Sequence, residues 1–275
     1  MAERAHGGTA VNRAAAVAAA ASRLSRAGTE RSPCAPVRDL LGTTDIAAAY
    51  EVQQRLAQRK LDLGARVVGR KIGLTSAAVQ RQLGVDRPDF GILFEDMDMS
   101  GRATAVPSAR LLQPRVEAEI AFVLGEDLDA ADLDLKRVRG AVDHARAALE
   151  IVDSRIAGWD ITITDTVADN ASSGLFVLGA EQVTLDGFEP RDATMTMTLD
   201  GSEASTGNGA ACLGDPLEAL LWLARAAREF GEPLRAGQVV LSGALGPLVP
   251  VGPGAVVHAE ISGLGSVSAT FTGTK

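Results

Sequence analysis

The sequence predicts an α+β protein in which a small helical N-terminal subdomain precedes a body made mostly of β-strands. Its start is rich in alanine, and after Gly64 the texture changes to short β-like runs separated by glycine and proline. Two later helical patterns interrupt those runs. A chain of 275 residues that is 46% hydrophobic can bury a good core without disulfides or a structural metal. We therefore expect a helical subdomain over residues 1–65 and a β domain over residues 66–275.

Two helices are predicted in the N-terminal subdomain. The alanine-rich stretch from Ala10 to Arg26 favours the first helix, and the Ser/Pro/Cys/Pro segment at residues 32–36 breaks it. The second helix is predicted from Thr44 to Leu63, because apolar residues recur there near helical spacing. A threonine at 43 or 44 can cap this helix and the glycine at 64 can end it.

The β body is predicted from short runs with strand character. An Asp-Gly pair at residues 200–201 follows an alternating run and predicts a hairpin turn. The β-like runs are residues 66–74, 115–124, 160–165, 175–179, 193–199, 238–242 and 255–271.

The two helices that interrupt the β body are predicted over about residues 134–149 and 216–230. The first rests on apolar residues that recur on one side of a helix. The second has clear end signals, with Asp215 as the cap, Pro216 in the first turn and Gly231 at the end.

Composition excludes several classes of function. The net charge of −8, with no sustained lysine or arginine cluster, argues against nucleic acid or an anionic membrane as partner. Cys34 and Cys212 lack the spacing of a disulfide framework or a zinc site. The weakly polar run from Ala14 to Ala21 is far shorter than the roughly 20 residues of a membrane span, and the first ten residues do not resemble an export signal. We expect a cytoplasmic protein.

The segment from Arg115 to Leu124 is the most informative about chemistry. Its alternation places Glu117 and Glu119 on one face of a strand, about 6.5 to 7 Å apart along the chain, so both carboxylates can reach one cation. The alternative is a solvated face that carries two surface glutamates. That face continues with Ala121 and Val123, which is unusual for a surface exposed to water.

A third carboxylate is available from the segment of residues 148–155, where Glu150 and Asp153 lie in an apolar setting and either could serve. Three oxygen donors, with water and substrate in the remaining positions, describe a site for Mg²⁺ or Mn²⁺. Zinc would favour histidine or thiolate, but the histidines are scattered. His144 is interpreted as a helix residue and His258 as a strand residue.

Further polar residues are candidates for a role in catalysis or binding. Lys71 lies in a β-like run among small and apolar residues, where burial or a nearby metal would lower its pKa; alternatively it faces water. Asp89 is either a loop acid or a turn residue. The cluster of Asp165, Asp169, Asn170 and Ser172 is explained equally by turn capping and by substrate contact.

Five motifs together resemble the 2-keto-4-pentenoate hydratases of the fumarylacetoacetate hydrolase superfamily, from about residue 40 to residue 272. They are Gly69-Arg-Lys-Ile-Gly-Leu-Thr-Ser76, Pro88-Asp-Phe-Gly91, Val116-Glu-Ala-Glu-Ile-Ala-Phe122, Ala148-Leu-Glu-Ile-Val-Asp-Ser-Arg155 and Ala168-Asp-Asn-Ala-Ser-Ser-Gly174. The resemblance implies the mixed β-roll of that superfamily. It also implies a homo-oligomer, often a pentamer or a decamer.

The resemblance assigns roles to individual residues. It implies that Glu117, Glu119 and Glu150 bind the metal and that Lys71 is the catalytic lysine. Asp89 matches an acidic residue near the active site of the family. In the same way, Ser172 matches a polar residue there, which implies contact with the substrate.

The resemblance implies Mg²⁺- or Mn²⁺-dependent addition of water to a small anionic 2-hydroxy-2,4-dienoate, giving a 4-hydroxy-2-oxoalkanoate in the catabolism of aromatic compounds. Three alternatives stay open. The chain could decarboxylate a 2-oxo-3-enedioate, hydrolyse an acylpyruvate, or act as an inert partner subunit of a related enzyme.

Overall fold

The N-terminal part of the computed structural model is helical, as the sequence predicts. The structure describes residues 5–76, 80, 87–101 and 105–273. The first three helices are α1 (Ala5–Glu30), α2 (Arg38–Leu41) and α3 (Ile46–Asp62). The cap of α3 differs from the prediction, because the side chain of Asp45, not of a threonine, accepts a hydrogen bond from the Ala48 amide. None of the described helices has the length and apolar character needed to cross a membrane.

Two sheets form the body of the described structure and confirm the α+β class. The first has the order β2-β1-β9-β4-β5-β6 with β10 paired to β4, and the second has the order β3-β12-β11-β7-β8. The strands are β1 (Val67–Gly73), β2 (Asp89–Phe94), β3 (Ala105–Pro107), β4 (Pro114–Leu124), β5 (Val142–Asp153), β6 (Ser173–Leu178), β7 (Thr194–Leu199), β8 (Ser202–Asn208), β9 (Val239–Ala244), β10 (Val249–Pro250), β11 (Val256–Ile261) and β12 (Gly265–Thr272).

Among the described residues, three further α-helices with both ends defined lie between the strands: α4 (Leu135–Ala141), α5 (Ile163–Ala168) and α6 (Pro216–Glu229). The prediction for α6 is confirmed, and the side chain of Asp215 accepts a hydrogen bond from the Leu217 amide at its start. The hairpin turn at residues 200–201 is also confirmed, since it joins β7 to β8 and both residues have positive φ angles, 53° and 80°.

The predicted helix over residues 134–149 is wrong beyond Ala141. The chain continues as β5, which lies between β4 and β6. A strand that is buried on both faces carries apolar residues at nearly every position, and such a run also satisfies a helical spacing. His144 is consequently a strand residue and not a helix residue, whereas His258 lies in β11 as predicted.

Three smaller expectations also needed correction. The β-like run at 160–165 is wrong, because α5 begins at Ile163 and Asp165 completes a capping box with Thr162. The run at 255–271 is two antiparallel strands, not one. Asp89 is not a turn residue but the first residue of β2, while residue 86 of that turn-rich segment lies outside the described residues. The domain boundary near residue 65 stays a prediction.

Candidate active site

The register of β4 and β5 brings three glutamates together. The strands are antiparallel, and Glu117 lies directly opposite Glu150. Glu119 is two residues further along β4, so it projects from the same face. One carboxylate oxygen from each of the three side chains lies within 4.8 Å of one oxygen of the other two.

The three glutamates are buried, so the interpretation of Glu117 and Glu119 as surface residues is wrong. Glu117 is 7% exposed, and Glu119 and Glu150 are fully buried. Burial raises the pKa of Glu119, and the charges of Glu150 and Glu117 raise it further. Burial also raises the pKa of Glu150 to about 7, although the nearby Lys71 ammonium opposes this. Carboxyl groups that are crowded in a dry interior resist ionisation unless a cation joins them.

The donor set fits a hard divalent cation. The Gly243 amide donates to Glu119 Oε2 at 2.7 Å, but Glu119 Oε1 and Glu150 Oε2 have no hydrogen-bond partner among the described residues. Oxygens around Mg²⁺ lie about 2.0 to 2.1 Å from the ion, so neighbouring ligands are about 3 Å apart and opposite ones about 4.2 Å. The observed limit of 4.8 Å is compatible with that geometry. Carboxylate oxygens without partners are the ligands that such an ion prefers.

Lys71 lies against this cluster. It is 2% exposed, and its Nζ is 3.1 Å from Glu150 Oε1. The strand register explains this placement. Lys71 is paired with Leu241 of β9, and Leu241 is paired with Ala121 of β4. Ala121 is two residues from Glu119, so Lys71 lies on the same face of the sheet as Glu119. Burial lowers the pKa of Lys71, but the charges of Glu150, Asp89 and the other two glutamates outweigh burial and raise it overall. The expectation of a lowered pKa is therefore wrong for the site without a cation.

Asp89 also lies in this acidic environment, and its charge acts on Lys71. Its Oδ2 accepts a hydrogen bond from Thr166 Oγ1 at 3.1 Å, while Oδ1 has no partner among the described residues. Burial raises the pKa of Asp89, and Lys71 opposes the increase. A Cβ atom at residue 73 would lie 2.3 Å from Asp89 Oδ1 and 3.4 Å from Lys71 Nζ, so Gly73 leaves room for both groups.

Thr166 was missed by sequence reasoning. It lies within the polar cluster of residues 165–172, but its neighbours in that cluster drew attention instead. A threonine in a short helix gives no local signal that it will meet a carboxylate 77 residues earlier in the chain. Only the packing of α5 near β2 reveals the contact.

Ser172 ends a turn of unusual conformation. Asn170, Ala171 and Ser172 have positive φ angles of 57°, 51° and 52°, which non-glycine residues rarely adopt. The turn is held in place because Asn170 bonds both the amide and the carbonyl of Ile92. The side chain of Ser172 is buried, and its Oγ has no partner among the described residues. Strained backbone that carries an unsatisfied polar group is typical of binding sites.

Other acidic candidates have structural partners. Asp153, the alternative third ligand, accepts hydrogen bonds from the Leu112 and Gln113 amides, and strand alternation turns it away from Glu150. Asp165 accepts from the amides of residues 37 and 38. Asp169 forms an ion pair with Arg155. These carboxylates organise turns and do not join the cluster.

The fold and the buried acidic cluster define a known class of protein. Residues 68–272 match the C-terminal domain of the fumarylacetoacetate hydrolases. The chain belongs to the fumarylacetoacetate hydrolase family, as the sequence motifs predicted. The curled mixed sheet preceded by helices is the expected fold.

Within that family, similar proteins are named hydratases. The "TodF product hydratase" of Pseudomonas putida is 55% identical, over 94% of this chain and 96% of its own length. The "2-keto-4-pentenoate hydratase" of Paraburkholderia xenovorans is 52% identical, over 92% of this chain and 93% of its own length. The resemblance to the 2-keto-4-pentenoate hydratases is confirmed.

A solved structure shares the whole fold. The 4-oxalocrotonate decarboxylase of Pseudomonas putida G7, in complex with magnesium and adipate, superposes with a TM-score of 0.88. It is 34% identical, and the match covers 93% of this chain and 97% of that chain.

Proposed function

We propose that this protein is a metal-dependent hydratase that adds water to a 2-hydroxy-2,4-dienoate and releases a 4-hydroxy-2-oxoalkanoate. The observation that carries the proposal is the buried cluster of three glutamates with Lys71 at 3.1 Å from Glu150. The hydratase names of relatives at 52–55% identity over almost the whole chain support the same activity.

Glu117, Glu119 and Glu150 are the proposed ligands of the metal, which we take to be Mg²⁺ or Mn²⁺. When bound, the ion supplies positive charge for the 1-carboxylate and the 2-oxygen of the substrate and stabilises negative charge on the dienolate. The magnesium in the related decarboxylase structure supports this choice of ion.

Lys71 is the proposed carrier of protons. In the first step the 2-hydroxyl loses its proton and C5 gains one, so the dienol becomes a conjugated 2-oxo-3-enoate. Water then forms a bond to the electrophilic C4, loses one proton, and C3 gains one. A buried ammonium beside carboxylates can hold and return such protons without exchanging them with bulk solvent.

Asp89 is proposed to orient the water that attacks C4. Its Oδ2 is held by Thr166, which leaves Oδ1 free among the described residues to accept a hydrogen bond from that water. Ser172 is proposed to contact the substrate, because its hydroxyl is buried and unsatisfied at the end of a constrained turn.

Decarboxylation of a 2-oxo-3-enedioate is the second candidate. The structural match to the 4-oxalocrotonate decarboxylase favours it, because the two folds agree over nearly their full length. Hydration is preferred, since identity to the two hydratases named above is 55% and 52%, whereas identity to the decarboxylase is 34%.

One assay separates these activities. Purified protein with Mg²⁺ is mixed with 2-hydroxypenta-2,4-dienoate, and loss of the ultraviolet absorbance of the dienol is followed while the product is identified. We expect a 4-hydroxy-2-oxo acid. A parallel reaction contains a 2-oxo-3-enedioate, and any CO₂ released is trapped. Release of CO₂ there, without hydration of the dienoate, would favour the decarboxylase. A third reaction contains an acylpyruvate, and two carboxylic products from it would indicate a hydrolase. Absence of every activity would indicate an inert subunit.

The ligand assignment is tested with a matched pair of variants. Glu117→Gln should abolish metal-dependent turnover and leave the chain folded. Glu203→Gln, at an exposed residue of β8, should retain activity. Activity of the first variant near wild type would reject the assignment.

Self-assembly and location are further parts of the proposal. By resemblance we propose a homo-oligomer, a pentamer or a decamer, in the cytoplasm. Light scattering coupled to gel filtration measures the mass, and cell fractionation locates the protein. A monomeric mass would contradict the first statement and a membrane or extracellular location the second.

A further inference from the structure

A cavity of about 430 Å³ lies between the N-terminal helices and the first sheet. None of the six proposed site residues lines it. Asp153 does, and because this residue is three positions from Glu150 on β5, strand alternation places the cavity on the opposite face from the glutamates. Its volume falls in the usual range of small-molecule sites, about 300 to 1,000 Å³. The protein therefore has a space of ligand size apart from the residues of the candidate active site.

The walls of this cavity combine apolar side chains with a small excess of positive charge. Leu24 of α1, Leu56 of α3, Phe94 of β2 and Leu175 of β6 contribute apolar surface. Among the described residues, four cationic and three anionic side chains also line it, which leaves one net positive charge there in a chain whose total is −8. Such a charge balance matches an occupant with a single negative charge.

Each of the three acids on the wall has a partner of its own. Asp169 forms an ion pair with Arg155. Asp96 Oδ2 lies 3.4 Å from Arg110 Nη2. Asp153 accepts backbone hydrogen bonds. These contacts leave no carboxylate among the described wall residues free to neutralise a further cation.

Arg59 and Lys60 are the two described cations on the wall without a carboxylate partner; Arg59 is exposed and Lys60 is half-buried. Among the described residues, no acid lies within ion-pair distance of the Lys60 ammonium, which instead lies 4.6 Å from the centroid of the Phe94 ring. Burial lowers the pKa of Lys60, although the charge of Asp96 opposes this. A partly dry ammonium beside apolar walls offers a charge and hydrogen-bond donors to an incoming anion.

We propose that this cavity binds a small apolar monocarboxylate, with its carboxylate against Lys60 and its hydrocarbon part against the leucines of α1, α3 and β6. The single net positive charge selects a monoanion, and the apolar walls select a hydrophobic body. The proposal does not depend on the hydratase activity, since it concerns the other face of the sheet.

The test is calorimetric titration of sodium octanoate into the full chain. A chelator is kept in the buffer so that no metal at the glutamate cluster can bind the carboxylate. We expect saturable binding of one octanoate per chain, and at least tenfold weaker binding of octan-1-ol. Lys60→Met, which keeps the apolar stem and removes the charge, should weaken octanoate binding at least tenfold. Lys136→Met, at an exposed lysine of α4, should leave binding unchanged.

A second variant tests the cavity without removing a charge. Gly28 lines the cavity from α1, and a Cβ atom there would meet nothing within 4 Å. Gly28→Leu should fill the space and abolish octanoate binding, while the thermal midpoint stays the same or rises, because leucine favours a helix more than glycine does. Gly140→Leu in α4, which also adds a side chain in open space, is the matched control and should bind octanoate normally.

Three outcomes would overturn the proposal. The first is the absence of octanoate binding to the wild type. The second is unchanged binding by Lys60→Met or by Gly28→Leu. The third is a change in mass by light scattering in those two variants, since this would indicate that a second copy of the chain covers the cavity.

Discussion

Replacement of Lys71 by methionine should tighten metal binding while it abolishes turnover. In the folded chain the Lys71 ammonium lies 3.1 Å from Glu150 Oε1. There it neutralises part of the negative charge of the glutamates, which a bound divalent ion would also neutralise. The lysine and the metal therefore compete for the same carboxylates. Methionine preserves most of the volume of the side chain, so the change is mainly one of charge.

The size of the effect follows from the geometry. Two unit charges 3.1 Å apart attract by about 5 kcal/mol at an effective dielectric constant of about 20. Removal of one partner from a buried ion pair costs about 3 to 5 kcal/mol of stability. If a bound cation recovers half of that loss, the free energy of metal binding improves by about 1.5 to 2.5 kcal/mol, and every 1.4 kcal/mol is tenfold in Kd.

Urea unfolding with and without Mg²⁺ measures the linkage, and calorimetric titration of Mg²⁺ gives the Kd directly. We expect the metal-free Lys71→Met protein to lose about 3 to 5 kcal/mol at pH 8, a smaller loss in saturating Mg²⁺, and a Kd for Mg²⁺ at least tenfold lower than that of the wild type. Lys136→Met is the control and should change none of these quantities. Equal destabilisation with and without metal, or weaker binding of Mg²⁺, would refute the competition between lysine and metal.

Three further predictions concern the surroundings of the cluster. Thr166→Val should lower kcat and change KM little, because it removes the hydroxyl that donates a hydrogen bond to Asp89 Oδ2. Thr166→Ser should restore kcat. Equal kcat values for the wild type and both variants would contradict this positioning role. Asn170→Ala should lower the free energy of unfolding in urea by about 2 to 3 kcal/mol, because it removes two hydrogen bonds to Ile92 from a left-handed turn. A loss below about 0.5 kcal/mol would show that the turn is stable without these hydrogen bonds. In thermal unfolding, the metal-free protein should lose stability as pH rises from about 5 to 8. The reason is that Glu150, whose pKa is raised from 4.5 to about 7, and Glu119, whose pKa is also raised, keep protons in the folded state that the unfolded chain has released. Saturating Mg²⁺ should flatten this pH dependence, and a metal-free stability that rises with pH would refute the prediction.

The part of the site on one strand could be predicted from the sequence. Glu117 and Glu119 share a face because side chains alternate along a strand, and this is a local property. The apolar residues that follow them on that face correctly indicated burial. Their opposite partner was harder to place, because Glu150 follows a stretch whose apolar spacing suits a helix as well as a strand buried on both faces.

The contacts between distant segments could not be predicted from spacing alone. Lys71 reaches the glutamates because β1 pairs in parallel with β9, and β9 pairs with β4, a sequence of neighbours that no local pattern specifies. The motifs recognised in the sequence implied the same set of residues, but they implied nothing about Thr166. Nor did they predict the raised pKa of Lys71, which depends on how many acids surround it.

The electrostatics of the cluster argue for function rather than stability. The structure places Asp89, three glutamates and a single ammonium in a dry interior, so the described residues provide fewer positive charges than negative ones. Apolar residues of similar volume in such a place are commonly as stabilising as a buried ion pair, or more so. A chain that retains four buried acids around one lysine therefore sacrifices stability of the metal-free state. A divalent cation bound there would offset most of the excess negative charge, which is why we expect metal binding and folding stability to be thermodynamically linked.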